Sequence, residues 1–196
     1  MPPRAAPMAP DERRAALIDA TLPLLTEHGR AVPTRLIAEA AGVAEGTIFR
    51  VFDSKEELVE AALAKAFEPG RMIEDVLAID PDLPLRDRAI VLVTLLQDRF
   101  REMFALMHAV GMVGPPDRHR AEHMDRIRES FAAMTAVFEP DQPELMVPAG
   151  QLVQLLRLLT FSGSHPKFSN GEVLTPAEIV DTVLYGVVRR PAEVTA

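Results

Sequence analysis

Apolar positions in this chain recur at three- and four-residue intervals, the period of a helix with one buried face, and no convincing strand pattern interrupts them. Residues 11–28 read as an amphipathic helix with Leu17, Ala20, Leu24 and Leu25 inward. Residues 34–41 form a short helix capped by Thr34, with Leu36, Ile37, Ala38 and Ala41 packing inward. Gly42 supplies the positive φ that ends it, and Val43 plugs the corner. A second short helix spans 44–51, with Ile48 and Phe52 on its apolar side. Ser54-Lys55-Glu56-Glu57 is a capping box that opens a helix over 55–67, which Glu68-Pro69-Gly70 stops. Further helices follow over 71–79, 85–110, 118–138, 150–162 and 176–190, the last opened by the capping box Thr175-Pro176-Ala177-Glu178. The fold class is all-α.

A short helix, a glycine turn and a second short helix form the arrangement that lays the second helix in a DNA major groove. The residue types suit that task. Ala44 and Gly46 are small enough to let the helix backbone approach the bases, and Thr47 can donate to a phosphate or touch a thymine methyl. Glu45 can accept from a cytosine amino group, and Arg35 can grip a guanine in bidentate fashion. Arg50 and Lys55 offer phosphate contacts.

Residues 13–67 resemble the DNA-binding domain of the tetracycline-repressor (TetR) family. The resemblance is carried by the first helix with its closing Gly29, by Thr34, Ile37, Ala38 and Ala41-Gly42-Val43, and by Gly46-Thr47-Ile48-Phe49. It continues through Phe52, Ser54-Lys55-Glu56 and Leu58. It implies an all-α homodimer that regulates transcription, usually by repression, and leaves its operator when a small molecule binds. It also implies that Thr34, Thr47, Phe49, Arg50 and Lys55 face phosphates, while Arg35, Ala44, Glu45 and Thr47 face bases. Two positions depart from the family pattern. Phe49 stands where a tyrosine is common and lacks its hydroxyl, and Val51 stands where a polar residue such as histidine is frequent.

Charge narrows the mode of binding. The formal net charge is −8, and residues 1–68 themselves hold more carboxylates than basic side chains. A generic basic patch is absent, so affinity rests on local placement of Arg35, Arg50 and Lys55. Arg4, Arg13 and Arg14 could add a groove-reaching arm. The chain has no cysteine, which excludes disulfides and thiolate metal sites and suits a cytoplasmic protein. Residues 1–10 do not read as a signal peptide, and no run of about 18 apolar residues could span a membrane.

The organisation expected is a flexible arm over 1–10 and a helix-turn-helix domain over 11–54. A helical effector-binding and dimerisation domain over 55–190 and a tail over 191–196 complete it. Helix 55–67 would link the first domain to the second. The last two helices carry broad apolar faces, through Leu152, Leu155, Leu156 and Leu159 and through Ile179, Val180, Val183, Leu184 and Val187. Pairing them with a second copy as a four-helix bundle would bury both. Phe100, Met103, Phe104, Met107, Phe131, Met134 and Phe161 would line a pocket for a lipophilic small-molecule effector. His119 and His123 stand four apart at a spacing that can bind zinc, but a solvated polar face accounts for them, and neither metal nor cofactor is expected. No nucleophile elbow, phosphate loop or paired catalytic carboxylates stand out, so no enzyme activity is expected. The rival is a helical protein-interaction adaptor that binds no DNA.

Overall fold

A computed structural model describes residues 9–68, 70–112 and 120–186, without the side chains of 70, 71 and 120–123. The described residues form helices and turns with no strand. In chain order the α-helices are α1 (Pro10–His28), α2 (Thr34–Ala40), α3 (Ile48–Val51), α4 (Lys55–Phe67) and α5 (Gly70–Leu77). After them come α6 (Leu85–Val110), α7 (Arg120–Ala136), α8 (Ala149–Gly163) and α9 (Pro176–Tyr185). The expected arm over 1–10 lies outside the described residues up to Met8, and Pro10 already belongs to α1. Val187 and the tail over 191–196 also lie outside them, as do His119 and the side chain of His123.

The chain divides into two compact units. Residues 1–68 and 102–124 form the first, and residues 69–101 and 125–196 the second. This moves the boundary expected at residue 54, because α4 buries Leu58, Val59, Ala62, Leu63 and Phe67 in the core of the first unit. Two helices contribute to both units, α6 through residues 85–101 and 102–110, and α7 through residues 120–124 and 125–136.

In the first unit α1 and α4 pack together around Leu17, Leu25, Leu58 and Leu63, all fully buried. Two surface ion pairs run between these helices, Lys65 to Asp19 at 2.5 Å and Arg14 to Glu57 at 3.8 Å. Ser54 caps α4 by accepting the Glu57 N–H at 3.1 Å. The reciprocal half of the expected capping box falls one residue earlier, because the Glu57 carboxylate accepts the N–H of Asp53 rather than that of Ser54.

The core of the second unit is built from Leu92, Val93, Leu96, Phe138, Val153, Leu156, Ile179 and Val180. Arg88, nearly buried, donates to both Asp141 oxygens at 2.5 and 2.6 Å and to the Val137 carbonyl at 2.9 Å. On its surface Arg86 grips Asp181 with two bonds of 2.7 and 2.9 Å, which hold the Asp181 carboxyl below the usual carboxylate range. The capping box at Thr175 and Glu178 forms as expected. Among the described residues no helix is long and apolar enough to cross a membrane.

Candidate nucleic-acid interface

The turn between α2 and α3 is a Schellman closure. Gly42 takes φ +66°, Val43 N–H bonds the Ala38 carbonyl at 2.9 Å, and Gly42 N–H bonds that of Glu39 at 3.1 Å. The chain then stays extended at Ala44 (φ −71°, ψ 143°) before turning into the second helix. That helix begins as a 3₁₀ turn over Glu45–Thr47, closed by Thr47 N–H on the Ala44 carbonyl at 2.8 Å, and becomes α-helical over Ile48–Val51. The single helix expected over 44–51 is therefore two short pieces. Ile48 and Phe52 fix them to the core, one fully buried and the other nearly so.

Anchoring on one side leaves the other side outward. Arg35, Ala44, Glu45, Gly46, Phe49 and Arg50 are exposed, while Thr34, Thr47 and Lys55 are half-buried. Phe49 is 55% exposed on this side. A Cβ on Gly46 would meet nothing within 4 Å, so the outer side of the turn is open.

Thr34 is not the helix cap. The helical backbone begins at Thr34 itself, and the carbonyl of Pro33 accepts the first bonds, from Leu36 at 3.0 Å and Ile37 at 3.4 Å. The Thr34 hydroxyl instead donates to the Glu45 carboxylate at 2.5 Å, tying the start of α2 to the turn before α3. Arg35 rests beside Glu39 at 3.5 Å, a pair exposed on both sides. Exposed pairs of this kind are worth well under about 1 kcal/mol, so the guanidinium is readily redirected.

Arg14 is not part of a flexible arm. It lies on α1 with its guanidinium 4.3 Å from the centre of the Phe52 ring and paired to Glu57. It braces the end of α3, 38 positions away in number, and no local pattern announces such a contact. Arg30 is likewise held by Glu60 at 2.7 Å.

The predicted pocket residues separate. Met103 and Met107 pack against the core of the first unit, whereas Phe100, Phe131 and Met134 belong to the second, Met134 as buried core. Phe161 also belongs to the second, edge-on to Phe100 with ring centroids 5.3 Å apart. Phe104 is half-buried in the portion of α6 that joins the first unit. The predicted dimer residues separate too. Leu152, Leu156, Ile179 and Val180 are buried inside their own subunit and present no outer face, which corrects their assignment. Leu155 is 43% exposed, and with Leu158, Leu159, Ser162, Thr182 and Val183 it lines an open groove of about 500 Å³ between α8 and α9. Leu184 is half-buried beside it.

An anchored helix, a glycine turn and an outward second helix define a helix-turn-helix. Residues 17–62 match the family model described as "Bacterial regulatory proteins, tetR family". The HTH-type transcriptional repressor KstR of Rhodococcus jostii is 49% identical over 61 residues, 31% of this chain and 29% of that protein. KstR of Mycolicibacterium smegmatis is 47% identical over 58 residues, 29% of this chain and 28% of that protein. The chain thus matches less than a third of the length of these relatives. The fold extends further. A TetR/AcrR-family transcriptional regulator from Thermobifida fusca superposes with a TM-score of 0.63 at 20% identity, over 90% of this chain and 99% of that one. The fatty acid degradation regulator FadR from Bacillus halodurans does so with a TM-score of 0.58 at 16% identity, over 91% and 94%.

Proposed function

We propose that this chain is a homodimeric transcriptional repressor, working in the cytoplasm, that binds an inverted-repeat operator and is released from it by a lipophilic small molecule. The observation that carries the reading is the second helix of the helix-turn-helix. Its inner residues Ile48 and Phe52 are locked in the core, while Ala44, Glu45, Gly46 and Phe49 are exposed. Within this reading Arg35 and Glu45 contact bases, Thr47, Arg50 and Lys55 hold the backbone, and Thr34, whose one O–H goes to Glu45, can meet a phosphate only through its backbone N–H. The Thr34–Glu45 bond keeps the carboxylate from pointing at a phosphate.

The groove of α8 and α9, with Leu155, Leu159, Val183 and Leu184 and with Leu158 added, is the dimer surface in this reading. In this reading α6 and α7, which contribute to both units, carry the ligand's effect on recognition-helix spacing. Such coupling is reciprocal, so operator DNA must weaken ligand by the factor that ligand weakens DNA.

Selection of bound fragments from the native genome tests the proposal. It should return a two-fold symmetric sequence with half-site centres about 34–36 Å apart, or a multiple of that. Recovery of no sequence by a well-folded chain would favour a protein-interaction adaptor instead.

A further inference from the structure

The second unit holds a cation that the fold does not answer. Arg157 lies on α8 and is half-buried, and its Nε is shielded from solvent with no hydrogen-bond partner. Its guanidinium lies over the ring of Phe131 on α7, 5.7 Å from the centroid. Burial pushes the group below the ordinary arginine range, and no carboxylate among the described residues holds it up. The contrast within the same unit is direct, since Arg86 is paired to Asp181 and Arg88 to Asp141. Shielding part of a charge without a described counter-charge is costly, and one cation–π contact offsets only part of that cost. An arriving anion removes it.

The surroundings define the rest of the ligand. Phe161, one helical turn beyond Arg157 and on the same face of α8, packs edge-on against Phe100. Two turns before it, Gly150 presents no side chain, and a Cβ there would come 3.7 Å from the Phe131 ring. The guanidinium thus lies over one aromatic ring, Phe131, with the Phe161–Phe100 pair one turn along the same helix face.

We propose that Arg157 is the headgroup contact of a site for a lipophilic carboxylate. The carboxylate accepts from Nε–H and one terminal N–H side by side, and the hydrocarbon lies along Phe131, Phe161 and Phe100. A single planar cation edge matches a single carboxylate bidentately, whereas a phosphate dianion would bring surplus charge into a half-buried site. This inference rests on reading the chain as ligand-responsive, and it names the class of effector.

The test is calorimetry on the full chain with dodecanoate below its micelle concentration and with dodecan-1-ol of the same chain length. Dodecanoate should bind roughly ten- to a hundredfold more tightly than the alcohol. Arg157→Met keeps the apolar stem and should bring the two ligands to equal affinity, while Arg157→Lys should keep part of the preference. Equal affinity in the unaltered chain, binding of neither ligand, or a preference untouched by Arg157→Met overturns the inference. The comparison in the unaltered chain decides by itself if Arg157→Met does not fold. Genome selection is read separately. A chain that selects DNA but shows no preference for dodecanoate loses this inference and keeps the regulator reading, and the reverse result keeps the inference alone.

Discussion

The backbone of Gly29 lies so close to that of Ala109 that a Cβ on the glycine would stand 2.5 Å from the Ala109 carbonyl oxygen. Both residues belong to the first unit, so the end of α1 and the end of α6 meet there with no room for a side chain. Gly29 also takes φ +58° with ψ −154°, a region outside the left-handed helix that is essentially confined to glycine. Gly111 has a similar φ of +66°, but open space lies where its Cβ would go. Gly29→Ala should therefore destabilise more than Gly111→Ala, by about 1–3 kcal/mol. Urea unfolding of the two variants measures the difference, and equal midpoints would refute the close approach.

A second pair of glycines separates folding from recognition. Gly42 needs its positive φ to close the Schellman turn, so Gly42→Ala should cost about 1–2 kcal/mol of stability. Gly46 has ordinary backbone and open space around it, so Gly46→Ala should leave stability unchanged or slightly raised. Its added methyl stands on the proposed DNA side and should weaken operator binding all the same. A gel shift unaffected by Gly46→Ala would place this turn away from the bases.

Readout and anchoring are expected to part between Arg35 and Lys55. Arg35→Ala should relax the preference at one base pair at a cost of about 1–3 kcal/mol. Lys55→Ala should weaken all sequences alike and flatten the logarithmic salt dependence by about one unit of slope. Binding titrations at several salt concentrations, on operator and on single-base variants, distinguish the two. The opposite pattern would exchange their roles.

Strong punctuation made the long helices legible. α4 and α6 occupy the residues expected of them because Ser54 caps one, while Pro84 and Gly111 bound the other. The short second helix was less legible. Whether Glu45–Thr47 turns as 3₁₀ or α depends on Ala44 remaining extended, which no side chain nearby dictates. Periodicity also marked α8 as apolar nearly all round without revealing which stripe the subunit covers itself. Leu152 and Leu156 went inward and Leu155 and Leu158 outward, a choice made by where α9 and α6 pack. Pairings such as Arg14 with Phe52 and Arg88 with Asp141 join residues far apart in the chain, so only the folded packing reveals them.

The Arg86–Asp181 pair gives the second unit a pH dependence of known sign. Asp181 is held below the usual carboxylate range in the folded state by the Arg86 hydrogen bonds, so its contribution is present above its unfolded pKa, about 3.9. It is lost as pH falls below that value. The urea midpoint of Asp181→Asn should lie below that of the unaltered chain at neutral pH. The two should converge as pH drops from about 4 toward the lower folded value. A gap that stays constant across this range would show that ionisation of Asp181 plays no part.

The outer stripe of α8 gives the sharpest contrast between assembly and folding. Leu158 is 59% exposed and lines the open groove, while Leu156, two residues earlier, is fully buried among Leu92, Val153 and Ile179. Leu158→Glu places its charge in water in the isolated subunit and should leave the helical content intact. In a dimer closed over this groove the same carboxylate would be buried without a partner, at a cost large enough to separate the subunits. Leu156→Glu instead buries that charge within the subunit and should prevent folding at any concentration. Sedimentation velocity should accordingly find Leu158→Glu as a folded monomer with its operator affinity sharply reduced, since two half-sites would then be bound independently. A Leu158→Glu chain that sediments as a dimer would exclude this face of α8 as the contact.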